Sequence, residues 1–358
     1  MNCSINYNSV LDIDNIDFGS FWRKFEVINM SIFGNIVGHE KIIAHFQNAI
    51  KLNKVSHAYI LNGEDGSGKY MLAKAFAMTL QCVKKGIEPC LECVSCKKAA
   101  GHNHPDIIYI THEKPNSIGV EDIREQLVGD IMIKPYTGPY KIYIIDEAQK
   151  LTVQAQNTLL KTIEEPPAYA VIILLTNNAS GFLPTVVSRC ITLNLKVVPD
   201  ELVKEYLMRE LQIPDYKADI SVAFAQGNVG KAINIATSTK FTELKDDALK
   251  LIRQIQNMNI YEVVDKVKRT SEFKSQIEDY LDIMGIWYRD VVLFKASREV
   301  GSVIFKDELN NIKEQARKSS YEGLEEVLNA LEKAKIRLRA NVNFDLVMEL
   351  LFLAVKEN

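Results

Sequence analysis

What the chain lacks narrows its class first. No apolar run approaches the roughly 20 residues that span a bilayer, so no membrane association is expected. The N-terminus has none of the basic, apolar and small-residue succession of an export signal, which makes a cytoplasmic setting the expectation. Positive charge is not in excess: 43 Lys and Arg against 46 Asp and Glu leave a formal net charge of -3. That balance argues against a chain that coats nucleic acid by bulk charge, while leaving open a local basic patch or a place in an assembly whose partner holds the DNA. Low-complexity linkers are missing as well. The 358 residues are enough, on size, for roughly two or three domains. A content of 47% hydrophobic and 25% charged residues is that of a globular chain rather than a disordered one.

Along the chain, residues 1–30 form an N-terminal extension of uncertain order. It has aromatic and apolar residues but no sustained period. An appendage of strand and helix, a loose arm and a segment upstream of a start at Met30 all remain open.

From Ser31 the pattern sharpens. "GHEKIIAHFQNAIKLN" places Ile42, Phe46 and Ile50 at helical spacing. "HAYILNG" is a short apolar strand, and "YMLAKAFAMTLQC" a helix with Leu72, Phe76 and Leu80 four apart. "DIIYI", "YKIYIIDEAQ", "AVIILLTNN" and "CITLNL" read as further strands. Between them lie a helix starting near Val120 and another in "TVQAQNTLLKTIEEPP", stopped by Pro166 and Pro167. Continuous apolar strands alternating with helices predict a mostly parallel sheet covered on both faces, over residues 31–195. Beyond "VVPD" the strand signals end. Residues 196–242 read as a small helical unit and 243–358 as helix packed on helix. Strict heptads do not persist there, which points to a bundle or collar rather than a coiled coil.

"LNGEDGSGKYM", Leu61 to Met71, follows a strand and opens a helix. Gly63, Gly66, Gly68 and Lys69 suit a phosphate loop, in which backbone N–H groups cradle phosphates and the lysine neutralises charge. The next position calls for a small hydroxyl on magnesium, and the chain has Tyr70, whose oxygen lies at the end of a long rigid ring. A phosphate loop with hydrolysis lost is therefore expected, with ATP and Mg2+ bound but not turned over, or not bound at all. Asp146 and Glu147 end an apolar strand where acids hold a magnesium shell and orient water. Thr176 and Asn177 end the next long strand, either to touch a terminal phosphate or to cap that strand.

"CVKKGIEPCLECVSC" places Cys82, Cys90, Cys93 and Cys96 within fifteen residues. In reducing surroundings such a cluster favours a metal over disulfides. Four thiolates close a tetrahedral shell, so structural Zn2+ is expected. Unliganded thiols are the alternative, and nothing nearby suggests electron transfer by an iron–sulfur cluster. His102 and His104 are assigned to the downstream loop.

Taken together, "GHEKIIAHFQNAI", "SHAYILNGEDGSGK", the four-cysteine insertion, "IYIIDEAQKLTVQAQNTLLKTIEEPP", "FLPTVVSRC", "WYRD" and "RLRANVNFDLVMELL" resemble the bacterial clamp-loader subunits of DNA polymerase III, of the AAA+ superfamily. The resemblance covers nearly everything from Ser31. It implies an AAA+ domain over 31–195 with a zinc-binding insertion at 82–96, a helical lid at 196–242 and a helical collar at 243–358.

The ATP-hydrolysing tau/gamma subunits of that family carry Ser or Thr after the loop lysine and an arginine at the end of a G-x-x-R segment. Here that segment is "GNVG", Gly227 to Gly230, and Lys231 lies one helical step, about 100°, off the required direction. Both departures point to a non-hydrolysing member, with an ATP-hydrolysing tau/gamma-like subunit as the alternative. By the same resemblance Arg189 of "SRC" is an arginine finger acting on a neighbour's ATP, with Ser188 placing its loop. The implied partners are tau/gamma and delta subunits in a heteropentamer, and through the complex the beta sliding clamp and primer-template DNA, in a nucleoid-associated replisome.

Overall fold

The computed structural model describes residues 32–301, 303–340 and 342–357. The expectation for residues 1–30 lies outside them. The described residues fall into two compact units, each with its own core. One comprises the described residues up to Val203 together with Gly227–Gly230; the other comprises Lys204–Gln226 and the described residues from Lys231 onward. The helices expected as a lid over 196–242 are thus distributed over both units.

The first unit is built on five parallel strands: β1 (Ala58–Asn62), β2 (Ile107–Ile110), β3 (Lys141–Ile145), β4 (Ala170–Thr176) and β5 (Ile191–Asn194). Their order across the sheet is β2-β3-β4-β1-β5. Every residue of β3 and β4 is buried, because helices cover both faces. On one face Tyr59, Leu61, Ile144 and Ile173 pack with Phe46 of α1 (Glu40–Lys51) and Phe76 of α2 (Lys69–Leu80). The Phe46 and Phe76 rings stack 4.1 Å apart, and Tyr59 meets Phe76 edge-on. On the other face Ile60, Ile145 and Ile172 pack with Leu127 and Leu159.

The cysteine insertion carries α3 (Val94–Ala100), whose Cys96 and Ala99 join the first of these cores. The helix expected from Val120 is α-helical only as α4, Val120–Ile123, and then widens into a π-turn, Arg124–Val128. Ile123, Leu127 and Ile131 are all buried. Then come α5 (Val153–Glu164) and α6 (Pro184–Val187), α5 being started by Thr152, whose hydroxyl accepts the Ala155 N–H.

Among the described residues of the second unit every element is helical. Its core gathers Tyr280, Trp287 and Tyr288 on the helix Ile277–Ser297 with Phe305, Leu324, Leu331, Met348 and Phe352. The "WYRD" residues are structural: Trp287 donates its indole N–H to Gln315 at 2.6 Å, and buried Asp290 accepts the N–H groups of Ile304 and Phe305. No helix among the described residues is long and apolar enough to cross a membrane.

Candidate functional site

The glycine loop joins β1 to α2 at the C-terminal ends of the parallel strands, where open α/β sheets place their ligands. Gly66 and Gly68 have φ of +83° and +96°, a left-handed backbone that brings the chain into α2 with its first N–H groups facing outward. Such a helix start is an anion cradle.

The carbonyl side of the loop is fully engaged by the protein. Gly63 O and Glu64 O accept from the Lys69 ammonium, Asp65 O from the Asn228 side chain at 2.8 Å, and Gly66 O from the Gly230 N–H at 2.9 Å. Lys69 also pairs with Asp65 at 3.1 Å, so it folds back on its own loop. A β-carbon on Gly230 would stand 2.6 Å from the Gly66 oxygen and 2.7 Å from its Cα. Position 230 therefore has no room for a side chain in this arrangement.

The Tyr70 ring lies over His102, 6.0 Å between centroids and 14° between planes, and 5.9 Å from Tyr109 of β2. Desolvation, with Tyr109 and Asp146 nearby, pushes its hydroxyl well above the usual tyrosine range.

Asp146 and Glu147 follow β3 directly, and they diverge. Asp146 accepts the Glu147 N–H. Desolvation is the largest influence on its carboxyl and raises it above the usual range, partly offset by that N–H and by Lys69, although much of the residue remains exposed. Glu147 adopts a left-handed φ of 49°, and its carboxylate goes to Lys150 at 2.7 Å and His112 at 3.5 Å. The Thr176 hydroxyl accepts the Asn178 N–H, while its backbone oxygen accepts from Gly63. Asn177 reaches the loop instead, donating to Asp65 at 3.2 Å.

Two residues of this neighbourhood escaped the sequence reading. Buried Asn228 anchors Asp65, and His39 sits 3.0 Å from the Ser67 carbonyl. Desolvation lowers the His39 pKa, the Ser67 carbonyl and Glu40 opposing it. Only the oddity of Asn between two glycines, and of His after Gly38 before a helix, marks them in the sequence.

The four sulfur atoms of Cys82, Cys90, Cys93 and Cys96 lie within 4.8 Å of one another and can hold a metal ion. Shared use of Cys93 by two tight turns is solved locally. Leu91 takes a left-handed φ of 61° between Cys90 and Cys93, and Cys93 then caps α3, accepting the Cys96 N–H. Cys82 likewise accepts the Cys90 N–H at 3.4 Å. At Cys90, desolvation would raise the pKa, yet N–H donors from Cys93 and Glu92 and neighbouring thiols bring it down to about 6. Such sulfur-directed N–H groups suit thiolates on a metal. His102 and His104 are outside the tetrad, His104 bonding Ser95 and the Asp106 N–H.

Arg189 lies between α6 and β5. It donates to Thr185 O at 3.0 Å and pairs with Glu164 at 3.0 Å, both partners partly exposed. Because β5 runs parallel to β1, with Ile191 opposite Tyr59, Arg189 stands beyond the N-terminal ends of the strands. The glycine loop stands beyond their C-terminal ends, so Arg189 does not serve the loop of its own chain. Its neighbour Cys190 is desolvated, its thiol pushed up to about 12, which removes it as a nucleophile.

The sequence profile of the family described as "DNA polymerase III, delta subunit" matches residues 38–199. DNA polymerase III subunit delta' of Bacillus subtilis is 28% identical over 88% of this chain and 96% of its own length. Subunit tau of the same organism is also 28% identical over 88% of this chain, which spans 60% of that longer protein. Among solved structures, a gamma-subunit-related protein of DNA polymerase III from Thermotoga maritima aligns over 88% of this chain and 98% of its own, with TM-score 0.43 and 17% identity.

Proposed function

We propose that the chain is a clamp-loader subunit of DNA polymerase III, as its likeness to the delta' and tau subunits supports, and within that family the delta-prime subunit, a member that hydrolyses no ATP itself and acts on a neighbour's. The observation that carries this reading is the contact of Gly230 with Gly66. Where a hydrolysing subunit brings a positive side chain to the phosphates, this chain brings a bare backbone N–H to the loop's own carbonyl. Tyr70 supports it as well, since its ring is held against His102 and Tyr109 rather than offering the small hydroxyl that a magnesium ligand at this position requires.

In this reading Arg189 reaches the ATP of an adjoining tau/gamma subunit, where a guanidinium spreads positive field over the charge building on the transferred phosphoryl oxygens. Its exposure and its place across the sheet from the loop suit action in trans. The helices of 243–358 form the collar that joins delta, tau/gamma and this subunit, with the lid at 196–242. The assembly opens the beta sliding clamp and loads it onto primer-template DNA in the cytoplasm, at the nucleoid-associated replisome. Zn2+ on Cys82, Cys90, Cys93 and Cys96 is structural, because four protein ligands leave no open position for chemistry. If a nucleotide enters, the N–H groups at the start of α2 and Lys69, once released from its loop, would hold its phosphates.

The alternative is a tau/gamma-like ATPase, favoured by the equal identity to the Bacillus subtilis tau subunit and by the retained Lys69, Asp146 and Glu147. Turnover at saturating ATP and magnesium, for this chain alone and after mixing with tau/gamma and delta subunits, separates the two. Turnover by the isolated chain that Lys69→Ala abolishes would overturn the first reading.

A further inference from the structure

We infer that the four-cysteine module positions Tyr70 through His102, coupling the metal state of the insertion to the first turn of the phosphate-loop helix. The connection is short and each link is a direct contact. Cys93 caps α3 and Cys96 lies in its first turn, so a metal on the tetrad fixes where that helix begins. Where α3 ends, the Ala100 carbonyl accepts from Lys74 Nζ at 2.9 Å. Two residues on, His102 takes a left-handed φ of 58°, uncommon for a non-glycine residue and held by what surrounds it. Its Nε2 is 2.9 Å from Lys74 Nζ, and its Nδ1 is 3.2 Å from Tyr70 Oη.

Lys74 in its charged form only donates. Nε2 therefore accepts from it, while the Tyr70 hydroxyl rests over the same ring, 3.2 Å from Nδ1 and 3.4 Å from Nε2. The imidazole also packs 4.9 Å from Tyr109, closing a three-ring group over Tyr70. Tyr70 and Lys74 are one turn apart on α2, so both hold the same helix face against the segment leaving the module. Lys74 is fully buried, and Cys96, Ala99, Leu72, Ala73 and Phe76 share one core. Loss of metal frees α3, then His102, and with it the ring that pins the start of α2. By linkage, an anion bound at that start alters metal retention in turn.

This inference rests on the metal assignment proposed above, and the test separates the two. Hydrogen exchange of residues 66–76 is followed by mass spectrometry in the full-length protein as purified, after chelation, and in His102→Ala and His102→Phe, with metal content measured for each. Chelation is expected to accelerate exchange in both 82–100 and 66–76. His102→Ala should keep its metal and its protection at 82–100, yet exchange about tenfold faster in 66–76 through loss of one stack and one hydrogen bond. His102→Phe, which restores a ring against Tyr70, should recover most of that protection. A metal-loaded His102→Ala that exchanges like the parent in 66–76 would overturn the coupling, as would chelation that affects 82–100 alone. A parent protein that binds no metal would instead overturn the metal assignment, while the two His102 variants still decide the contact with Tyr70.

Discussion

Gly230 donates its backbone N–H to the carbonyl of Gly66 at 2.9 Å, and a β-carbon added to Gly230 would stand closer still to that oxygen, at 2.6 Å. Backbone sits on backbone, so the contact tolerates no side chain at Gly230, large or small, without displacing the loop.

Gly230→Ala should therefore destabilise the protein by about 2 kcal/mol, despite the better helix propensity of alanine. Gly285 lies inside a long helix, and a methyl group added there would meet nothing within 4 Å. Gly285→Ala should stabilise by roughly 0.5–1 kcal/mol. Denaturant titration of the two variants should give shifts of opposite sign; equal shifts would remove the packing argument. Gly230→Arg should not restore ATP hydrolysis.

Arg189→Ala should lower the ATPase rate of a reconstituted loader by roughly tenfold or more, since one guanidinium on a transferring phosphoryl group carries a large share of its rate. Folding should hardly change, because the pair with Glu164 is partly exposed and worth under about 1 kcal/mol. An unchanged rate at the adjoining site would end the trans role.

Cys93→Ser should release the metal and lower the melting temperature, because Cys93 is both a member of the tetrad and the cap of α3. Cys190→Ser should retain the metal in full, since Cys190 packs elsewhere, against the sheet face that holds Ile60 and Ile172. Elemental analysis of both proteins checks the contrast, and zinc in the parent protein identifies the ion.

His39 carries a pKa below its ordinary 6.5, chiefly through desolvation. A folded pKa lower than the unfolded one means that the unfolded chain binds the proton first as pH falls. The contribution of neutral His39 is thus complete above about pH 6.5 and is lost on acidification toward its depressed folded value. Thermal melts from pH 7.5 to 5.5 should fall less steeply for His39→Gln than for the parent. Parallel slopes would show that His39 is not desolvated beside Ser67.

The sequence by itself determined what depends on near neighbours along the chain. The uninterrupted apolar runs of "AYIL", "KIYII" and "AVIILLT" announce inner strands, because only a strand with both faces covered can be apolar at every position. Gly66 and Gly68 beside Lys69 announce a turn into a helix start, and the closely spaced cysteines a common shell, since these geometries need only a few consecutive residues. Distant pairings had no such signal. That Glu147 goes to Lys150 and His112 rather than to the loop follows from one left-handed residue at the strand end.

That Tyr70 rests on His102 follows from packing α2 against the insertion, and that Gly230 lies on Gly66 follows from the return of a distant segment to the loop. That positions 70 and 230 are tyrosine and glycine is visible in the letters, but what they touch is not. Local spacing sets backbone torsions, whereas the partner of a side chain is chosen by the free energy of the whole packed core.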